Sequence, residues 1–334
     1  MAEQPKEPKS LQAAILYFSD PDRCLAYMVT RRWRDGVILC PTCGADGVRY
    51  IATRRLFECA QKHAKRQFSV KVGTVMEDSA VPLDKWLMAF WMVANCKNGV
   101  SSYEIHRAIG VTQKSAWFMV HRIRLALQDS AIPKFGSDGG AVESDEAFIG
   151  GNPQKMHKSR RLRLQQIKNE MMGDTRMAGK TAILGLLDRE QRKVRASVIP
   201  AVKREHVIGE ILRSVHPGAK VYTDEATVYK ALPKDYVHEF VNHLEKYVSG
   251  QVHTNGLENF WSLLKRGLKG TYVAVEPFHL SRYVDEQVFR YNNRATRDNP
   301  LTDADRFDLA VSQIVSKRLT YAELTGKVGE TSAF

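Results

Sequence analysis

Cysteine, acidic side chains and long apolar runs are all in short supply in this 334-residue chain. No stretch reaches the roughly 18 unbroken apolar residues of a membrane helix. The opening MAEQPKEPKS has no apolar core of the kind that leads a secreted chain. The expectation is a cytoplasmic protein without a membrane partner. Five cysteines are too few, and odd in number, for a disulfide framework; in a reducing compartment they point to metal ligation or free thiols. Asp and Glu number 37 against 50 Lys and Arg, a formal net charge of +13. A chain this basic expects a polyanion, of which nucleic acid is the commonest. Repeats and low-complexity tracts are absent, and a 43% hydrophobic content excludes a largely disordered chain.

The length suits two or three domains. Residues 1–80 are loop-rich and hold four of the five cysteines. Residues 81–130 turn helical, through WLMAFWMVA and SSYEIHRAIGVTQKSAWFMVHRIRLAL. After the turn-rich AIPKFGSDGG, residues 138–300 offer strand candidates AVESDEAFIGG, TAILGLLD, KVRASVIP and AKVYTDEA. Helical patterns fall at REHVIGEILRSV, Leu257–Leu268 and Phe278–Tyr291. That succession predicts an α/β domain on a mixed sheet. Residues 301–334 are expected to form a C-terminal tail.

Cys40-Pro-Thr-Cys43-Gly places two thiols two residues apart, with a glycine for the tight turn, as one half of a zinc knuckle. Cys59 and His63 follow at ribbon spacing and would complete a Cys3His site, closed by the alternating QFSVKVGTV. Cys24 is an alternative fourth ligand, although its helical setting suits burial, and Cys96 within WMVANC reads as a core thiol.

Residues 101–127 have a helix-turn-helix layout. Gly110-Val111 makes the turn, Thr112 is an N-cap, and Ile105, Ile109, Val111, Ala116, Met119 and Ile123 are spaced to fill a small core. Gln113, Lys114 and Ser115 would then open the second helix toward a DNA major groove. His121, Arg122 and Arg124 are expected at phosphates, as is a basic stretch that includes Arg160, Arg161, Arg163 and Lys168.

Three acids have settings suited to divalent ions. Asp145 sits on the first strand candidate, where alternation puts it on one face with Glu143 and leaves Ser144 and Glu146 opposite. Asp224 ends the apolar run VYTD. Glu258 lies near the start of a helix, with Lys265 seven residues on along the same face and Trp261 one turn away, either packed beneath the site or stacked on a base.

These segments resemble a known family. From the CPTCG ribbon through GTVMEDSAVPLDKWLMAFW, SAWFMVHRIR, ESDEAFIGG, VYTDEATVY, VNHLEKYVSGQVHTNGLENFWSLLKRGLKGTY and YVDEQVFRYNNR, nearly the whole chain is similar to the DDE transposases of bacterial insertion sequences related to the eukaryotic Merlin elements. The resemblance implies a ribonuclease-H-like catalytic domain behind a zinc ribbon and a helix-turn-helix-like domain. It also implies two Mg²⁺ or Mn²⁺ ions, binding of terminal inverted repeats and of target DNA, and a homo-oligomer in the synaptic complex, at the nucleoid. Asp145 and Asp224 match the family's aspartates. For the third position Asn255 competes with Glu258; the 33 intervening residues after Asp224, and Lys265 seven beyond, favour Glu258 and make Asn255 an adjunct. The family's ribbon usually closes with a second Cys-x-x-Cys, where this chain has Cys59-x-x-x-His63. The rival expectations are a ribonuclease-H-like nuclease or resolvase, and a DNA-binding regulator with an inactive domain.

Overall fold

A computed structural model of the chain describes residues 7–128, 132–150, 158–159, 162, 180–224, 227–241, 254–297 and 299–327. The chain divides into two compact units, Met1–Asp129 with Asn293–Phe334, and Ser130–Asn292.

The first unit opens with helices α1 (Leu11–Phe18) and α2 (Pro21–Arg32). Three short antiparallel strands follow in the order β1 (Val48–Ile51), β2 (Leu56–Cys59), β3 (Gln67–Phe68). The apolar run WLMAFWMVA forms α3 (Leu83–Asn95), with Trp86, Leu87 and Phe90 fully buried. Next come α4 (Ser102–Ile109) and α5 (Gln113–Leu127). Their junction follows the local chemistry of the sequence. A capping box of Ser101 and Glu104 starts α4; Gly110 ends it at φ 62°, a left-handed conformation glycine adopts without steric cost; the Thr112 hydroxyl then caps α5.

The second unit is built on a five-stranded mixed sheet. β4 (Ala141–Gly150), β5 (Lys180–Asp188) and β6 (Lys193–Ile199) run antiparallel to one another. Helix α6 (Arg204–Ser214) crosses over to β7 (Lys220–Asp224), which pairs parallel with β4, and β8 (Val237–Val241) adds parallel to β7. The order is β6-β5-β4-β7-β8, and this mixed sheet is the expected ribonuclease-H-like α/β fold. Helices α7 (Asn255–Gly267) and α8 (Leu280–Asn292) complete the unit.

Strand alternation divides the sheet's side chains between two cores. Val142, Leu184 and Leu186 pack with Val207 and Ile211 of α6. Ala147, Ile183 and Leu187 pack with Leu257, Phe260, Trp261 and Leu264 of α7 and with Val284 of α8.

Helices α9 (Asp303–Ser312) and α10 (Tyr321–Leu324) belong to the first unit, so the segment expected as a tail is structured through residue 327. Phe307 of α9 is buried and stacks on Tyr27, with ring centroids 5.5 Å apart. Among the described residues no helix is long and apolar enough to cross a membrane.

Candidate catalytic site and metal centres

The acid site begins with register. The parallel β4–β7 pairing runs Ala141↔Lys220, Val142↔Val221, Glu143↔Tyr222; two places further on, Asp145 stands beside Asp224, where β7 ends. Across the other edge of β4, Asp145 pairs with Gly185 of β5. The missing side chain at Gly185 leaves the space that the Trp261 ring fills: a Cβ built there would lie 2.6 Å from Trp261 Cζ2. Trp261 is buried, and its Nε1 donates to Asp145 Oδ2 at 2.9 Å. The ring packs beneath the site and orients the carboxylate. Gly185→Ala is therefore expected to displace Trp261 and break this bond. A melting temperature at least about 3 °C lower is the check, since overpacking a core costs about 1–3 kcal/mol.

Oxygens of Asp145, Glu146 and Asp224 all lie within 4.8 Å of one another. Glu146 was expected on the face opposite Asp145. Its carboxylate nevertheless joins the cluster, held there by the Tyr229 hydroxyl beside the end of β7. Tyr229, fully buried, donates its hydroxyl to Glu146 Oε1 at 2.6 Å and lies 3.1 Å from Ser144 Oγ. Burial is the main force raising the Glu146 carboxyl to about 7; the charges of Asp224 and Asp145 add to it, and the Tyr229 hydrogen bond opposes it. Burial also raises Asp145, against the Trp261 hydrogen bond. Three half-buried acids at this spacing repel one another, and a hard divalent cation with oxygen preference fits the donor set.

Glu258 lies in the first turn of α7 and is exposed, as are Asn255 and Lys265. It is not within the 4.8 Å cluster, although its charge contributes to raising Asp145. The helix is anchored at its start by Glu143, a residue that sequence reasoning used only to mark a face.

In the first unit Cys40, Cys43, Cys59 and His63 bring their ligand atoms within 4.8 Å of one another. Cys40 Sγ lies 3.5 Å from His63 Nε2, and Cys43 Sγ 3.6 Å from Cys59 Sγ. His63 Nδ1–H donates to the Ala64 carbonyl at 2.6 Å, which sets the tautomer and turns Nε2 toward the thiols. Burial opposes ionisation of Cys40, but amide and thiol hydrogen bonds from Cys43, Thr42 and Cys59 bring its thiol down to about 6. Three sulfurs and one imidazole suit tetrahedral zinc. Cys24 is no part of the set: its thiol donates to the Phe18 carbonyl and burial pushes it up to about 12. Cys96 caps the end of α3 and is only half-buried.

The basic side chains of α5 do not lie where the sequence placed them. Arg122, expected at DNA phosphates, is buried: its Nε donates to the Leu319 carbonyl at 3.1 Å and its guanidinium lies 4.3 Å from the Phe118 ring. His121 and Arg124 are buried too. The chain around α10 covers this side of α5, so polarity in the helical pattern did not mark a solvated face. At the start of α5, Gln113 donates to Ser102 Oγ at 3.1 Å, the Ser115 hydroxyl accepts from Thr112, and Lys114 is exposed with its ammonium 4.7 Å from the Tyr321 ring. Arg160, Arg161, Arg163 and Lys168 lie outside the described residues.

The second unit thus sets clustered acids on a five-stranded mixed sheet, and the first carries a Cys3His set. Comparison with known proteins narrows the reading. Residues 138–292 match the ISXO2-like transposase domain, and residues 19–63 match the transposase zinc-ribbon domain. A protein in transposable element ISH50 of Halobacterium salinarum is 29% identical over 260 residues, covering 76% of this chain and 85% of its own. A chain of the simian T-cell lymphotropic virus intasome in complex with PP2A regulatory subunit B56 gamma aligns over 66% of this chain and 74% of its own, at 12% identity and a TM-score of 0.31. Two separate segments of the chain thus match a transposase domain and a transposase zinc ribbon, and the relative belongs to a transposable element.

Proposed function

We propose that this protein is the transposase of an insertion sequence, related to the Merlin elements, which binds the element's terminal inverted repeats, cleaves their ends and joins them to target DNA. The observation that carries the reading is the convergence of Asp145 and Asp224 at the end of β7 in a domain that matches a transposase family. Asp145, Asp224 and Glu258 would hold two Mg²⁺ or Mn²⁺ ions, which supply activation of the attacking oxygen and stabilisation of the leaving one. Trp261 holds the Asp145 carboxylate in place through Oδ2. Water attacks the phosphodiester at the element's end and frees a 3′-hydroxyl, which then attacks a target phosphodiester, breaking its P–O3′ bond and releasing a target 3′-hydroxyl. Lys265 follows Glu258 by two turns and would neutralise a nearby phosphate, with Asn255 as an adjunct. The ribbon, with zinc on Cys40, Cys43, Cys59 and His63, and Gln113, Lys114 and Ser115 at the start of α5 would read the repeats. Arg160, Arg161, Arg163 and Lys168 would grip the backbone. Two transposon ends acting together call for a homo-oligomer in the synaptic complex, at the nucleoid.

The test incubates purified protein with Mg²⁺, plasmid and a labelled duplex bearing the inverted repeats that bracket its gene. Joined products are expected. Cutting that ignores the repeats would identify a nuclease or resolvase; repeat binding without cutting in Mg²⁺ or Mn²⁺ would identify a regulator. In the same assay Glu258→Gln should reduce joining at least about a hundredfold and Asn255→Ala less than about tenfold. The reverse order would move the third position to Asn255.

A further inference from the structure

Glu143 is nearly fully buried, ionisable, and unused by the chemistry above. Its two oxygens are spoken for. Oε1 accepts from Arg189 Nε at 2.8 Å, and Oε2 accepts from the backbone N–H of Leu257 at 3.1 Å. Arg189 follows β5 directly and lays its guanidinium 4.6 Å from the Tyr222 ring of β7. Leu257 is the third residue of α7, whose own N-cap, Thr254, offers no side-chain hydrogen bond. A carboxylate from the sheet therefore does what a capping side chain ordinarily does, and it meets the positive end of the helix dipole. The fit is close: a Cβ at Gly256 would lie 2.9 Å from Glu143 Oε2 and 3.2 Å from Oε1.

Stability alone does not call for this arrangement. Burying a carboxylate and a guanidinium costs desolvation that an apolar side chain of similar size would avoid, so a buried ion pair is weak evidence for stability. What an apolar contact lacks is register. Apolar faces slide on one another, whereas a carboxylate held at both oxygens fixes where the first turn of α7 starts. One residue beyond Leu257 is Glu258.

We propose that Glu143, locked by Arg189, is a positioning residue that sets the start of α7 on β4 and thereby places Glu258 at the acid site. The inference rests on the transposase reading, because it gives Glu258 its role there. Glu143 and Asp145, two apart on one strand face, both hold α7, one at its first turn and the other through Trp261.

The experiment measures Mn²⁺ binding to the full chain by calorimetry, alongside strand joining. Glu143→Gln and Glu258→Gln should each weaken Mn²⁺ binding by about tenfold, and the double variant should be no weaker than either alone, because residues acting through one contact do not add. Joining by Glu143→Gln should fall about 10- to 100-fold in kcat with KM for the DNA end unchanged. Gly256→Ala, which keeps the Glu143 charge but crowds it, should reproduce the loss and carries the test if Glu143→Gln fails to melt cooperatively. Additive losses in the double variant, or wild-type Mn²⁺ affinity in a folded Glu143→Gln or Gly256→Ala, overturn the inference while Asp145→Asn and Glu258→Gln remain defective. If those two also bind Mn²⁺ and join ends normally, the acid-site reading falls and takes this inference with it.

Discussion

Asp145→Asn is expected to reduce strand cleavage and joining by at least about a thousandfold while leaving binding of the transposon ends unchanged. The size of the effect follows from what the substitution removes. Asn keeps the shape and can still accept the Trp261 hydrogen bond, so packing under the site survives. It loses the negative charge that a divalent ion requires from a carboxylate within 4.8 Å of those of Asp224 and Glu146. The ribbon and helical pair assigned to end binding belong to the other compact unit, which is why binding and chemistry should separate. Stability gives a second readout. Burial raises the Asp145 and Glu146 carboxyls, Glu146 to about 7. A carboxyl raised by folding favours the native state below its unfolded value, and that contribution is lost as pH rises through the folded value. Metal-free protein should therefore lose stability between about pH 4.5 and pH 7 as Glu146 ionises. At pH 7.5 Asp145→Asn should melt no lower than the wild type. Joining at the wild-type rate with Mg²⁺, in a labelled-end assay, would sink the assignment.

Cys59→Ser is expected to remove bound zinc and cost at least about a hundredfold in end binding. The three strands of the ribbon contain four, four and two residues, and a sheet so small has little independent stability in water. Its apolar support is Trp33, Phe57 and Phe68, all buried. Structural zinc contributes about 10–16 kcal/mol in comparable peptide sites, far more than those rings can supply. Metal analysis by mass spectrometry should fall from one zinc per chain to none, limited proteolysis should open the segment around residues 40–66, and the catalytic unit should stay protected. Zinc content and end binding both at wild-type level would show that the four residues fold without metal.

Much of this was legible because short-range chemistry reports it. The two-residue spacing of Cys40 and Cys43, the capping residue Thr112 and the alternation around Asp145 each encode geometry within a few residues. What failed was tertiary. Arg122 carries a charge on a helix, and nothing nearby in sequence announces that the Leu319 carbonyl will cover it. Glu146 was assigned a face by alternation, yet its place in the cluster is held by the hydroxyl of Tyr229, 83 residues away. Glu143 and Arg189 meet only because a hairpin folds them together across 46 residues. The lone glycine in TAILGLLD did carry a signal, since glycine inside a strand often marks a close approach, but the approaching Trp261 is 76 positions away.

That glycine and that tryptophan also constrain how the protein can change. Neither can be altered alone without either filling a space already occupied or opening one against the sheet. In a library selected for transposition, position 185 should stay glycine wherever 261 is tryptophan, and larger residues at 185 should survive only beside smaller ones at 261. Such pairs would lose the Nε1 donor, so drift at this point in the core would be registered directly in the activity of Asp145.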